Sequence, residues 1–496
     1  MLNDKKIQIV PSNPSLNVDK SKEAFGSLLD DIQETTFKPL YRQTIGSLGP
    51  ILLTICGGMV SGYSAILLPQ LEYKDSPIKA TKNEESWIAS LAPLPMAAGC
   101  IFGGWMMDRF GRKKSNILGT IFLTIGWVFI YQATSVEYIM VGRLITGFFI
   151  GTTGPSSTIY IGEICEPRYR GIFLATIALG VALGLFIAHI LGTFLAWQVT
   201  ALIMAACPIA AFIFIIISPE SHIWYANRND YKRAMEAFFW LRGNNEASRH
   251  ELSIIFESRT KDTKKRSWKE LLAECSKPQF YKPLMILSVF FTTVQFAGQN
   301  AVVFYSVTIM QKTVTTLDKY AAMLIVDFIR VCISICACVL TKKFKVRPLT
   351  IVSGIGTFTS LFGLALFVYL SELYPENKTF SVMPLVMLIS YIVCISTGIV
   401  PLPWALCGEL FAQATKGIGG GISTTINFLT FFAVVKTSPD MFDTLGTAGT
   451  FGTYGVFAFT GTVILYFVLP ETKNKTLKEI EAHFTKVKKP ILNKPT

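Results

Sequence analysis

Gly162-Glu163-Ile164-Cys165-Glu166-Pro167-Arg168-Tyr169-Arg170-Gly171 places charges of both signs in ten residues directly after a long apolar run. It has a counterpart in Gly408-Glu409-Leu410-Phe411-Ala412-Gln413-Ala414-Thr415-Lys416-Gly417. Both read Gly-Glu, six residues, a cation and Gly, and they lie 246 residues apart in a chain of 496. Pro219-Glu220 likewise returns as Pro470-Glu471, 251 residues on. A repeat at half-length in an apolar chain reads as two similar halves, the second a diverged copy of the first.

The composition says what surrounds those halves. The chain is 51% hydrophobic and 16% charged, with 37 Phe and a mean hydropathy of +0.45. Soluble proteins carry about 25% charged residues, so this balance suits a lipid bilayer. The net charge of +13 does not call for nucleic acid. Most of the excess sits in short segments beside apolar runs, as the positive-inside rule expects. The ten Cys fall mainly within apolar runs, Cys56, Cys100, Cys207, Cys332, Cys336, Cys338 and Cys394 among them. Free thiols are expected, with no disulfide framework. No His, Cys or carboxylate cluster suggests a metal, and nothing suggests a cofactor.

Twelve runs are long enough to span a bilayer. They lie near 46–70, 86–107, 115–133, 138–160, 172–195, 198–217, 284–309, 320–340, 349–371, 381–406, 417–438 and 449–469. The expected fold is an all-α membrane protein of twelve transmembrane helices in two pseudo-symmetric six-helix halves. Its parts are an N-terminal tail (1–45), the first half (46–217), a helical linker (218–282), the second half (283–470) and a C-terminal tail (471–496). Within the linker, 228–237 has the pattern of an amphipathic helix. The turns Arg109–Lys114, Arg168–Arg170 and Lys342–Arg347, the linker and the last tail are all basic. Twelve spans put them on one side with both termini, and that side is expected to be cytoplasmic. Asn377-Lys378-Thr379, a glycosylation sequon, then falls outside, whereas Asn474-Lys475-Thr476 stays inside.

The polar residues inside the runs are mostly uncharged: Gln295, Gln299 and Asn300 in the seventh run, Asn427 in the eleventh. Tyr63, Phe304, Tyr305 and Trp404 lie near them in their own runs. A single amide in a membrane helix usually bonds helix to helix. Three in six residues, with aromatics at hand, suit an uncharged, hydroxyl-rich ligand. Pro401-Leu402-Pro403-Trp404 removes two backbone donors in mid-run and reads as a hinge. Asp327 and Arg330, three residues apart on one helix face, read as a mutually neutralising pair. Asp108, Arg109 and Arg112 in the first basic turn, with Glu163 and Arg170, read as a latch. Glu409 and Lys416 are placed to join it from the second half.

Together these residues make the resemblance specific. Gly104–Lys113, Gly142-Arg143, Tyr160-Ile161-Gly162-Glu163 with Arg170-Gly171, Pro219-Glu220-Ser221, Gln295–Asn300, Pro401–Trp404, Gly408-Glu409 and Pro470-Glu471-Thr472 occur in order. This resembles the sugar porter family of the major facilitator superfamily over nearly the whole chain. Gly62-Tyr63-Ser64, the residue added before Pro167, Val435-Lys436-Thr437 and the ending Lys475–Glu481 look most like the insect facilitated trehalose transporters. The resemblance implies that Gln295, Asn300, Trp404 and Asn427 contact sugar and that Tyr305 is a gate aromatic, with Pro401 and Pro403 hinging beside it. Ser64 stands where proton-coupled members carry Asp. Val294 and Ala178 replace two sugar-binding Gln of the family pattern, and Gln299 is placed to compensate. The implied function is facilitated diffusion of trehalose or a hexose by a monomeric, plasma-membrane carrier. Proton symport and a non-transporting sugar sensor remain as alternatives. No enzyme chemistry is implied.

Overall fold

An apolar medium leaves backbone N–H and C=O groups no partner but each other, so a membrane-crossing chain of this composition must coil. The computed structural model describes residues 39–73, 76–261, 273–313, 317–411, 415–473, 479–480 and 484, and among them no strand occurs. Ala412–Ala414 of the repeat, the tail up to residue 38, Asn474–Lys478 and Glu481 lie outside the described residues.

The first half contains α1 (Pro39–Leu71), α2 (Lys82–Ser90) running into α3 (Pro93–Phe110), α4 (Arg112–Tyr131), α5 (Val136–Ile164), α6 (Pro167–Phe194), and α7 (Trp197–Met204) running into α8 (Ala206–Ile217). The linker forms α9 (His222–Ala226), α10 (Tyr231–Arg242) and α11 (Glu246–Lys261). The second half opens with a broken seventh span, α12 (Pro278–Phe296), α13 (Gln299–Phe304) and α14 (Ser306–Thr313). It continues through α15 (Lys319–Lys343), α16 (Val346–Leu373), α17 (Lys378–Thr397) with α18 (Leu402–Cys407), α19 (Lys416–Thr444) and α20 (Gly446–Val468).

Eleven of these helices or helix pairs are long and apolar enough to cross a membrane. The remaining one, α5, occupies the fourth expected span. Its Gly, Thr and Ser residues lower its hydropathy and are mostly buried, so it depends on protein neighbours more than on lipid. α1 begins at Pro39, ahead of the expected 46. Its polar first turns are held in place: Arg42 donates to Trp240 O at 3.0 Å, and Gln43 donates to Glu166 at 2.8 Å. α10 is amphipathic as expected, burying Met235, Phe238, Phe239 and Leu241. All ten cysteines are unpaired.

The halves meet along two seams, α3 with α19 and α6 with α15. Exchanging the halves maps the second span onto the eighth and the fifth onto the eleventh, so each seam is the image of the other. Within the first half, α1 packs on α6 with backbones in contact. A Cβ at Gly58 would sit 2.1 Å from Val181 O. Gly58→Val should therefore lower the melting temperature of the detergent-solubilised protein, at a cost of roughly 1–3 kcal/mol. Gly417→Ala, with nothing within 4 Å, is the control that leaves it unchanged.

Candidate functional site

The seventh span breaks where the sequence requires it. Gly298 adopts φ +82, a left-handed conformation that costs a residue with a Cβ 1–2 kcal/mol or so. The break turns α13 away from α12 and brings three amides into one cluster. Gln295 Nε2 donates to Asn427 Oδ1 at 2.8 Å, and Asn300 Nδ2 donates to Gln295 Oε1 at 2.6 Å. Gln295 and Asn427 are buried, while Gln299 and Asn300 are half-buried. Gln299 makes no side-chain hydrogen bond to the described protein. Asn427 Nδ2, Asn300 Oδ1 and the whole Gln299 amide thus keep donor and acceptor capacity.

Aromatics frame the cluster. Trp404 is 48% exposed and meets Phe291 edge to face at 5.1 Å. Phe291 lies one helical turn before Gln295 on α12. Tyr305 is buried, its hydroxyl donating to Val435 O at 3.0 Å. The tenth span breaks at Gly398–Pro401. Ser353 of α16 steps in there, donating to Cys394 O at 2.6 Å and accepting from Ile399 N at 3.0 Å.

In the first half, Arg143 is fully buried. It donates to Val60 O at 2.6 Å, to Ile88 O at 3.3 Å and to the Ser64 hydroxyl. No carboxylate stands among these partners. Tyr63 beside it donates to Trp197 O at 2.8 Å.

The basic turns gather at one end of the bundle. Arg112 pairs with Glu163 at 2.9 Å and with Asp108 at 3.8 Å, and Ser221 donates to Glu163. The rest of the expected latch does not assemble among the described residues. Arg109 and Glu409 are exposed, Arg170 donates only to Cys165 O at 3.5 Å, and Lys416 forms no ion pair. The reason is geometric: the halves are tied at the far end instead. There Tyr73 and Tyr320 hydroxyls meet at 3.0 Å. Lys82 pairs with Asp443 at 3.0 Å, and Lys436 sits 4.2 Å from the Trp87 ring centre. Asn377 is exposed at this far end, capping α17 by accepting from Thr379 N at 3.0 Å.

The Asp327–Arg330 pairing also gives way. Asp327 bonds His189 of α6 across the seam, and Arg330 Nε is buried without a hydrogen-bond partner. Spacing along one helix shows only near neighbours, whereas the better partner came from 138 residues away.

Sequence reasoning saw the Pro-Glu repeat without its role. Glu220 accepts from Arg112 N at 2.9 Å and Lys113 N at 3.0 Å, the first turn of α4. Glu471 accepts from Val346 N at 3.1 Å and Arg347 N at 3.2 Å, the first turn of α16. Each carboxylate caps a helix N-terminus, where the helix dipole favours negative charge. Burial pushes the Glu220 carboxyl up, against the backbone donors that hold it ionised.

A family model described as sugar (and other) transporter matches residues 46–484. This chain belongs to the sugar transporter family. The transporter is 29% identical over 441 residues to "Facilitated trehalose transporter Tret1" of Bombyx mori, covering 88% of this chain and 85% of that one. It is 30% identical to "Facilitated trehalose transporter Tret1-2 homolog" of Drosophila sechellia, covering 89% and 90%. Against the Tret1 of Drosophila mojavensis it spans 52% of that protein's length. Among solved structures, an inward-open xylose transporter XylE from E. coli superposes with a TM-score of 0.72 at 18% identity, covering 90% of this chain and 99% of that one. The fold is thus the twelve-helix major facilitator fold. The transporter carries a small-molecule sugar and is not an enzyme.

One basic-end residue yields a pH prediction. Burial first, then the Arg170 charge, pushes the His222 imidazole down to about 4, and its Nδ1 has no hydrogen-bond partner. The folded state binds this proton less readily than the unfolded chain. The corresponding stability is fully present above about pH 6.5 and is lost as pH falls towards 4. The melting temperature of the solubilised transporter should fall over that window relative to His222→Gln. The difference should amount to no more than about 3 kcal/mol.

Proposed function

We propose that this transporter is a uniporter that moves trehalose or a hexose across the plasma membrane by alternating access. The amide cluster of Gln295, Asn300 and Asn427 carries the reading. Its unused donors and acceptors, with those of Gln299, suit sugar hydroxyls, and the exposed Trp404 ring suits a sugar's C–H face. The absence of any charged group within the cluster fits an uncharged substrate. Trehalose is favoured over other disaccharides by the two insect relatives, which bear that name over nearly their full matched length.

Uniport is supported by the partners of Arg143. A serine hydroxyl and two carbonyls hold it, and none of them takes up or releases a proton near neutral pH. The basic end is cytoplasmic in this reading, with both termini, and Asn377 faces outside as a glycosylation site. Arg112, Glu163 and Asp108, with Arg109, Arg170, Glu409 and Lys416 joining when the halves swing together, form the cytoplasmic latch. Tyr305 and the Pro401–Pro403 break form the moving gate. The transport unit is a single chain in the lipid bilayer.

The test is uptake of labelled trehalose, glucose and fructose in transport-deficient cells, with and without a proton uncoupler. Uptake should persist with the uncoupler present. Asn300→Ala and Trp404→Ala should each reduce uptake by roughly three- to tenfold, about the worth of one hydrogen bond or ring contact, at unchanged surface abundance. Normal uptake in both variants would place the sugar elsewhere.

A further inference from the structure

His189 is fully buried, and both of its ring nitrogens face acceptors. Nε2 lies 3.1 Å from Gly62 O of α1, and Nδ1 meets the Asp327 carboxylate of α15. A carbonyl oxygen can only accept, so Nε2 must carry a hydrogen. A neutral ring would then present a bare Nδ1 to an ionised carboxylate, lone pair against lone pair. The contact is satisfied only when one more proton sits between Nδ1 and Asp327. We propose that His189 and Asp327 form a binding site for a single proton, divided between the two halves and complete only when the outer end is closed.

The placement supports this. His189 lies near the end of α6, and Asp327 near the start of α15, both toward the far end where Tyr73 meets Tyr320. The two residues belong to opposite halves on one of the two seams. Opening the outer end separates them. A lone buried imidazole and carboxylate cannot stay charged without partners, so separation exposes them to outer water. His189 then returns its Nδ1 proton to water, and Asp327 stays ionised above its ordinary range. On closure a water-borne proton binds Nδ1, and the Nδ1–H donates to Asp327. The proton enters and leaves by the same face, so closure depends on pH while the sugar crosses without net proton movement.

Other titratable groups around the pair are few. On α15 itself Arg330 follows one turn later. α1 brings Tyr63, turned to Trp127 and Trp197 O. α17 brings Tyr391, which donates to Ala297 O at 2.9 Å and neighbours Arg330. α14 brings Lys312, directed over Phe442. None is placed to supply the shared proton to Nδ1.

The inference rests on alternating access and not on which sugar is carried. Its test uses spin labels at Glu72→Cys and Leu317→Cys, exposed positions on the outer ends of opposite halves, with exposed Cys332 and Cys336 changed to Ser. Distances are measured in liposomes across outer pH. Above about pH 6.5 the closed-to-open ratio should fall about tenfold per pH unit, the slope of one proton. Asp327→Asn should keep the outer end closed with no pH slope, because a neutral ring accepts from the amide and needs no added proton. His189→Gln should also lose the slope. A slope that survives in both variants, or none in the wild type, overturns the site. Sugar-driven proton uptake into the liposomes overturns same-face exchange and, separately, uniport itself.

Discussion

A backbone group that loses its helical partner inside a bilayer must find another within the protein. That constraint decides where this transporter can be irregular. The seventh span breaks at Gly298, and the freed Ala297 carbonyl is met by the Tyr391 hydroxyl from the tenth span. The tenth span breaks at Gly398–Pro401, and Ser353 from the ninth span serves both sides of that gap. Each break is thus held by a neighbouring helix in the same half. The second half can turn its amides inward at Gln295 and Asn300 without leaving an orphaned backbone group. The sugar site is where it is because two breaks and their side-chain substitutes coincide there.

Charge is handled in a similar way. At the helix ends, carboxylates are spent on backbone N–H groups: Glu220 on α4 and Glu471 on α16. A carboxylate at a helix N-terminus is worth about 0.3–1 kcal/mol when exposed, and up to about 2 when partly buried. That is enough to fix the angle at which α4 and α16 leave their turns. Arg143, in mid-bundle, has no counter-charge and relies on three oxygen acceptors from the first and second spans. It ties three helices of the first half together and leaves no carboxylate to titrate beside the cavity.

The fold was legible because its signals are local. The runs, the repeat at Gly162 and Gly408 and the basic turns each report on their own segment, and the spans follow. The amide cluster was legible because Gln295, Gln299 and Asn300 sit within one break. What failed needed distance. The Asp327 partner is His189, far away in sequence and on the other half, where no helical spacing points. The latch failed in part because it depends on which end of the bundle is closed, and a sequence encodes both ends at once. The capping role of Pro-Glu was visible only as a repeat, since its partners are backbone groups with no residue signature.

The two halves are less alike than the repeat suggests, and that asymmetry sets the balance between conformations. The first basic turn carries Asp108 and Arg112, which engage Glu163. The matching turn, Lys342–Arg347, has no acid, so the second half contributes backbone caps and no such ion pair. At the far end both halves contribute: tyrosine to tyrosine, Lys82 to Asp443, Lys436 to Trp87. An equilibrium between two arrangements moves only by the difference in what each one satisfies. Surface pairs are individually weak, about 0–1 kcal/mol, but the far end adds a buried contact across the seam at His189 and Asp327, and the basic end has no ion pair between the halves among the described residues. The closed far end is therefore the arrangement with more to lose on opening, and sugar binding at the amide cluster must supply the difference when the transporter turns over.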